Sequence, residues 1–283
     1  MGFTVAFTKV IDVTSPFLGG KVLLSGLEAP VVEGDDLAFV AAAANWKGLC
    51  RYSQGEIQLL ADVETNIPGG SGCFVDFNNV VTKDGVIGFQ GLGAKGQEGI
   101  FLTGGELRCV VNNRMRMPGS RWFFSRFERP SLGENRVAFR TLLTGGKHAI
   151  FLQEEEDYSA LVDDSTIVPG GVDTFTRLSR PCMLGDSVVF VGSGAKGGAG
   201  VFDSRDGMLE VIANNRTAVP GGQGKFLRFS VVSRHDRSIA FAADGSGAQQ
   251  GIYKKETDVD VAADRTMDIP EGRGKFIKFE EFS

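Results

Sequence analysis

Hydrophobic positions along the chain fall in short runs rich in Val, Ile and Phe, separated by Gly-rich or Asx-rich turns. No apolar spacing of 3.6 residues is sustained over three turns, so the pattern predicts strands and no long helix. The runs repeat. The proline of Ile67-Pro68-Gly69-Gly70 returns as Pro118, Pro169, Pro220 and Pro270, at spacings of 50, 51, 51 and 50 residues. Six residues after each proline stands Phe74, Phe124, Phe175, Phe226 or Phe276. Nine after it stands Phe77, Phe127, Leu178, Phe229 or Phe279. A second anchor ends a Val-Ala-Phe-like run at Phe39, Phe89, Phe139, Phe190 and Phe241. A third is the Gly-Ile-Tyr-like run Gly99-Ile100-Phe101, with counterparts ending at Phe151, Phe202 and Tyr253 and Gly48-Leu49-Cys50 in the first copy. Three anchors in one register over five copies define a repeat array.

Each period reads as four short strands, in the fourth copy Ser187–Val191, Gly200–Asp203, Leu209–Ala213 and Lys225–Phe229. Four short strands per 50 residues predict an all-β protein, a β-propeller with five full four-stranded blades. A parallel β-helix has shorter coils. Phe at both the sixth and ninth positions is expected from sheets apolar on both faces. Residues 1–283 are expected to form one domain. Leu18-Gly19-Gly20 lies one period before Pro68, so residues 1–27 form a half-copy, with strands expected at Thr4–Asp12 and Val22–Leu27 and another at Phe276–Phe282. Pairing of the two termini in a partial sixth repeat would close the ring, giving five or six blades.

Composition sharpens this picture. Glycine is 39 of 283 residues, and Phe outnumbers Tyr and Trp at 22 against 3 and 2: many turns and many Phe anchors, as a repeated β core requires. A net charge of −5 argues against a nucleic-acid partner. No apolar run reaches the length of roughly 18 residues that a membrane helix needs. Cys50, Cys73, Cys109 and Cys182 form no CxxC pair and only two His accompany them, so buried thiols are expected rather than a metal site or a disulfide framework. The N-terminus lacks the pattern of a signal peptide.

The repeat resembles a family found in bacterial, especially cyanobacterial, exported proteins. The resemblance rests on Ile239-Ala240-Phe241, Gly251-Ile252-Tyr253, Val261-Ala262-Ala263-Asp264 and Ile269-Pro270-Glu271-Gly272, and on Thr8-Lys9-Val10-Ile11-Asp12 as a repeat start. It covers nearly the whole chain and implies a propeller-like domain, exported, with no assigned function and no catalytic residues to carry over. Glu271 stands where the motif has glycine, and Ser120-Arg121 replaces Gly-x.

The chemistry-bearing residues divide into turns and charges. The Pro-Gly-Gly segments lead into no helix, so they are read as turns and not phosphate loops. Gly-rich stretches at 91–99, 192–200 and 243–251 are read as hairpin loops, and no cofactor is expected. Asp12, Asp62, Asn112, Asp163, Asn214 and Asp264 recur once per copy and are read as Asx-turns, spread too far apart to share a metal. Residues 108–140 carry eight Arg against Glu128 and Glu134, a local excess that the acidic run Glu154–Asp157 could neutralise. His148 and His235 sit in no nucleophile–base spacing, and neither a nucleophile elbow nor a zinc-protease motif occurs. The sharpest candidates are Arg126, Arg177, Arg228 and Lys278. They occupy one repeat position, opposed only by Asp76 in the first copy. If their strand borders the ring axis, they line a channel that attracts an anionic ligand. Two function classes follow: a binding or scaffold module for a protein or carbohydrate ligand, or a hydrolase with its site in the axial channel. Loops poor in aromatics, with Trp46 the main exception, weigh against a lectin.

Overall fold

The structure is a computed structural model that describes residues 8–28, 30–235 and 237–279. These residues build five antiparallel sheets. Contacts divide the chain into two compact units, Met1–Met115 and Arg116–Ser283.

The first unit holds two sheets. One contains β1 (Gly26–Leu27), β2 (Val31–Glu33), β3 (Asp36–Ala43), β4 (Trp46–Ser53) and β5 (Glu56–Asp62); the other contains β6 (Phe74–Lys83), β7 (Val86–Gly93), β8 (Gln97–Thr103) and β9 (Arg108–Asn112). The second unit holds three. They are β10 (Phe124–Phe127), β11 (Ser131–Gly133), β12 (Arg136–Leu143), β13 (His148–Glu154) and β14 (Asp157–Asp163); β15 (Phe175–Leu178), β16 (Cys182–Leu184), β17 (Ser187–Gly194), β18 (Ala199–Arg205) and β19 (Met208–Asn214); and β20 (Phe226–His235), β21 (Ser238–Gly245), β22 (Gln250–Lys255) and β23 (Val259–Asp264).

One expected strand changes sheet. Lys225–Phe229, read as the last of the four strands in the copy that begins at Ser187, instead opens β20 and pairs with β21 of the next sheet. The turns cause this. Each third strand of a full period ends in an Asx-turn, and the same turn stands at Asp12 of the half-copy: the side chains of Asp12, Asp62, Asn112, Asp163, Asn214 and Asp264 each accept from the backbone N–H two residues on, at 2.8–3.0 Å. The Pro-Gly-Gly turn follows at once. Gly70 N–H donates to the Ile67 carbonyl at 3.0 Å, with Gly69 at φ 65°, the left-handed value that a turn with Pro at its second position asks of its third. Together they carry the chain off one sheet and start the next.

Phe at the sixth and ninth positions also has a different cause from the one expected. Three residues apart, two side chains of a regular strand face opposite ways. Here a β-bulge lies between Phe74 and Asp76, Phe124 and Arg126, Phe175 and Arg177, and Phe226 and Arg228. The extra residue returns both aromatics to one face. Phe74 and Phe77 meet at 5.3 Å between ring centroids, and Phe226 and Phe229 at 5.4 Å.

Within each unit, consecutive sheets pack face to face. Phe175, Phe190 and Phe202 of one sheet share a core with Ala138, Ile150, Val162 and Val168 of the preceding repeat. Phe226, Phe241 and Tyr253 do the same with Val189, Val201 and Ala213. In the first unit, Phe74, Phe77, Phe89 and Phe101 pack on Ala38, Val40 and Leu49. The five repeat anchors Phe39, Phe89, Phe139, Phe190 and Phe241 are all buried, so both faces of a sheet are apolar, as its sequence requires.

The N-terminal half-copy keeps the repeat register. Gly26 and Leu27 pair with Ala42 and Ala41, as Asp76 and Phe77 pair with Leu92 and Gly91 one period later. Phe17 and Leu24 are buried against Phe39, Ala41 and Cys50. The half-copy has less strand than expected. Residues 8–12 of the segment Thr4–Asp12 join no ladder, and 4–7 lie outside the described residues. Val22–Leu27 reduces to β1 and a bridge between Phe17 and Val22. Residues 276–279 are not in a strand, and 280–283 lie outside the described residues.

Candidate functional site

The bulge that turns the Phe pair inward turns a neighbouring residue out. Arg126, Arg177 and Arg228 follow their bulges on β10, β15 and β20, and all three are exposed. Among the described residues none of the three takes part in an ion pair or a side-chain hydrogen bond. Lys278 is exposed in the segment after the last sheet. The first-unit counterpart, Asp76, is neutralised by Lys47 at 2.6 Å, which also holds Glu28 at 2.6 Å. The cationic position therefore repeats along the second unit alone.

Two residues further along the same strands lies a cleft of about 250 Å³, lined by Glu128, Ser179, Arg180, Ser230, Val231 and Val232. Its position follows from interruptions in the first strand of three successive sheets. Pro130 and Pro181 stand at one repeat position. Proline has no N–H for a ladder, so the strand breaks into β10 and β11, and into β15 and β16. In the last sheet valine takes that position and the strand runs through, with Ser230 displaced as a bulge between Phe229 and Val231. These three irregularities open the cleft. Sequence reasoning passed over it, although the recurring Arg129-Pro130 and Arg180-Pro181 were a readable signal.

The cleft's surroundings are cationic. Arg140 pairs through Nη1 with Glu128, and its Nη2 lies 2.8 Å from His148 Nδ1. Burial and the Arg140 charge hold the His148 imidazole below its usual pKa, so the ring accepts from Arg140 as the neutral form. Arg140 Nε is buried without a partner among the described residues. Half-buried Arg129 has its pKa lowered by burial and by the charge of Arg180. Ser179 Oγ is occupied, donating to the Arg180 carbonyl and accepting from Val191 N–H, each at 2.9 Å. The Ser230 hydroxyl has no partner among the described residues.

The other candidates resolve differently. The basic stretch 108–140 forms no single patch, because Arg136 pairs with Glu154 at 2.8 Å and Arg140 with Glu128. Arg116 and Arg121 lie over the rings of Phe123 and Trp122, and Arg114 donates to Ser71 Oγ at 2.9 Å in the first unit. Trp46 packs on Phe17 at 5.7 Å and donates to Asp62, so it is committed to the half-copy. A buried network joins Ser187, Asp203 and Arg234 across two sheets of the second unit; with Ser187 sealed from solvent, it can brace the sheets but offers no nucleophile. All four cysteines are free. Cys50 is buried, which pushes its thiol up to about 12, while the other three are partly exposed. Among the described residues no three His, Cys, Asp or Glu side chains cluster to hold a metal ion, and no helix is long and apolar enough to cross a membrane.

Solved structures similar to this one differ widely in sequence. The acylaminoacyl peptidase of Pyrococcus horikoshii matches with a TM-score of 0.46 and 10% identity, over 84% of this chain and 46% of the peptidase. The β-propeller domain of the Trilobed protease from Pyrococcus furiosus matches at 0.43 and 10%, over 84% of each chain. A lectin of Aleuria aurantia, in complex with the disaccharide Fucα1-6GlcNAc, matches at 0.38 and 10%, over 83% of this chain and 76% of the lectin. A comparison with curated protein sequences finds no match. Residues 7–283 match the model of a family of unknown function, DUF7453, and the chain belongs to that family.

Proposed function

We propose that this chain is a non-enzymatic, ligand-binding β-propeller. Each period supplies one blade and the terminal half-copies complete the ring. The ligand is an anionic carbohydrate or an acidic protein segment held by Arg126, Arg177, Arg228 and Lys278. The observation that carries the reading is the repetition of an exposed, unpaired arginine at one bulge position on three successive first strands. Like charges held in register on rigid strands repel, and an anion bound across them relieves the repulsion. Sites repeated at fixed spacing also bind a polymer more tightly than any one of them binds alone. The exported setting that the repeat motif implies fits a glycan partner. Ser187, beside Asp203 and sealed from solvent, lends the axial hydrolase no support.

Titration calorimetry with an oligogalacturonate tests the reading. Binding should weaken as salt rises and should be lost in an Arg177→Gln/Arg228→Gln variant that keeps its circular dichroism. Affinity that ignores both salt and the double substitution sinks it.

A further inference from the structure

We infer that the face of the last sheet, β20–β23, turned away from β15–β19 is a docking surface for a β-hairpin of a partner protein with an aromatic residue on each strand. The inference is independent of the arginine row. Four repeat positions carry it. In the third copy of the core they hold Ala138, Ile150, Val162 and Val168, and in the fourth Val189, Val201, Ala213 and Val219. Both sets are buried against rings of the sheet that follows: Phe175, Phe190 and Phe202 on the first, Phe226, Phe241 and Tyr253 on the second. In the last copy the same positions hold Ala240, Ile252, Ala263 and Ile269. Side chains alternate along a strand, so Ala240 and Ile252 lie on the opposite face from Phe241 and Tyr253, which pack on β15–β19. Ala240, Ile252 and Ala263 are only half-buried, and Ile269 is 37% exposed where Val168 is 1% exposed.

The face continues an interface already repeated along the chain, and the earlier copies show what it receives. Small and aliphatic residues on one sheet leave space that rings of the next fill. Two of those rings stand directly opposite each other on neighbouring strands, Phe190 with Phe202 and Phe241 with Tyr253. A hairpin is the smallest unit that presents such a pair. The third ring is already in the chain. Phe276 meets Phe279 at 5.4 Å, as Phe226 meets Phe229 at 5.4 Å. Phe276 N–H donates to the Met267 carbonyl at 3.4 Å, as Phe226 N–H donates to that of Thr217 at 3.2 Å. The C-terminal half-copy is thus set at the start of a first strand, yet residues 276–279 are not in one, whereas the equivalent β15 pairs with β17. A hairpin strand entering beside them adds through backbone hydrogen bonds and lays its two rings over Ala240 and Ile252. A second copy fits this face poorly. Its own ring pairs are buried, and two such faces set together oppose alanine to alanine with no ring between them.

The probe is a peptide of residues 187–205, the β17–β18 hairpin, cyclised between its ends, which are paired in the sheet. It is titrated calorimetrically into the full chain. It should bind, and a peptide carrying Phe190→Ala and Phe202→Ala should bind at least about thirtyfold more weakly, as expected for loss of two central rings. Ile252→Asp in the chain should weaken binding at least about tenfold, because the hairpin buries the new carboxylate. Bound peptide should slow amide hydrogen exchange at residues 276–279. The peptide pair and the exchange decide the matter if Ile252→Asp does not fold. No binding by the native peptide overturns the proposal, as does equal binding by the two peptides. Binding indifferent to Ile252→Asp, or exchange unchanged at 276–279, overturns the placement on this face. Sedimentation of the chain alone as a dimer that Ile252→Asp dissociates assigns the face to a second copy and overturns the partner hairpin.

Discussion

Truncating Phe190 to Ala is the most direct probe of how these sheets hold together. The ring is fully buried on β17. It meets Phe175 edge-on at 5.9 Å and Phe202 at 5.7 Å within its own sheet. On its far side it shares the core with Ala138, Ile150 and Val162 of the preceding sheet. Removing a buried ring loses its transfer free energy and leaves a cavity, together about 3–5 kcal/mol. Two ring pairs, each contributing about 0.5–1.5 kcal/mol beyond area, place this site in the upper half of that range. Neighbours on both sides are strand residues fixed by ladders, so the cavity collapses poorly. A loss of about 4 kcal/mol corresponds to a fall in Tm of roughly 10 °C for a domain of this size. Thermal and urea unfolding followed by circular dichroism measure it. Phe123→Ala is the control, because that ring is 36% exposed and lies under Arg116, and it should cost less than about 1 kcal/mol. Phe139→Ala and Phe241→Ala should match Phe190→Ala within about 1 kcal/mol, since their burial is the same. A Phe190→Ala loss no larger than the control's would refute the argument that facing sheets clamp this ring.

Three further outcomes are expected. Gly192→Ala should lower stability by about 1–3 kcal/mol, because a methyl there meets the ring of Phe175; an unchanged unfolding midpoint would show that the ring yields freely. Glu271 adopts φ 56° where the other copies have glycine, so Glu271→Gly should raise stability by about 0.5–1 kcal/mol, the left-handed strain relieved less the entropy of the unfolded glycine, and a fall in Tm would contradict it. The His148 imidazole is held below its usual pKa by burial and by Arg140, against the opposing pull of Glu128 and Asp164. The unfolded chain therefore binds a proton first: the contribution is complete above about pH 6.5 and declines as pH falls through the folded pKa. Tm should drop between pH 7.5 and 5, and His148→Gln should flatten that slope; an equal slope in the variant would place the titration elsewhere.

The amino-acid sequence by itself determined the repeat, the strands of its full copies and its core anchors. Those features are local and recur every 50 residues. A Phe that anchors one copy anchors all, and Pro-Gly-Gly with an Asx residue before it has few conformations open to it. It also marked Arg126, Arg177 and Arg228 as equivalent. What only the tertiary structure decided was pairing. The strand Phe226–His235 belongs to the sheet that follows it and not the one before, a choice made by long-range ladders that leave no trace in strand composition. The bulges that bring Phe124 and Phe127 to one face and turn Arg126 outward arise from register with β12, a partner some fifteen residues away. The cleft depended most on folding. Glu128, Ser179 and Ser230 are 51 residues apart in sequence, and they share one cavity only because strand breaks at Pro130 and Pro181 and a bulge at Ser230 open the same place in three packed sheets. Periodicity reports each copy separately. A site assembled from several copies exists only once packing has brought them together.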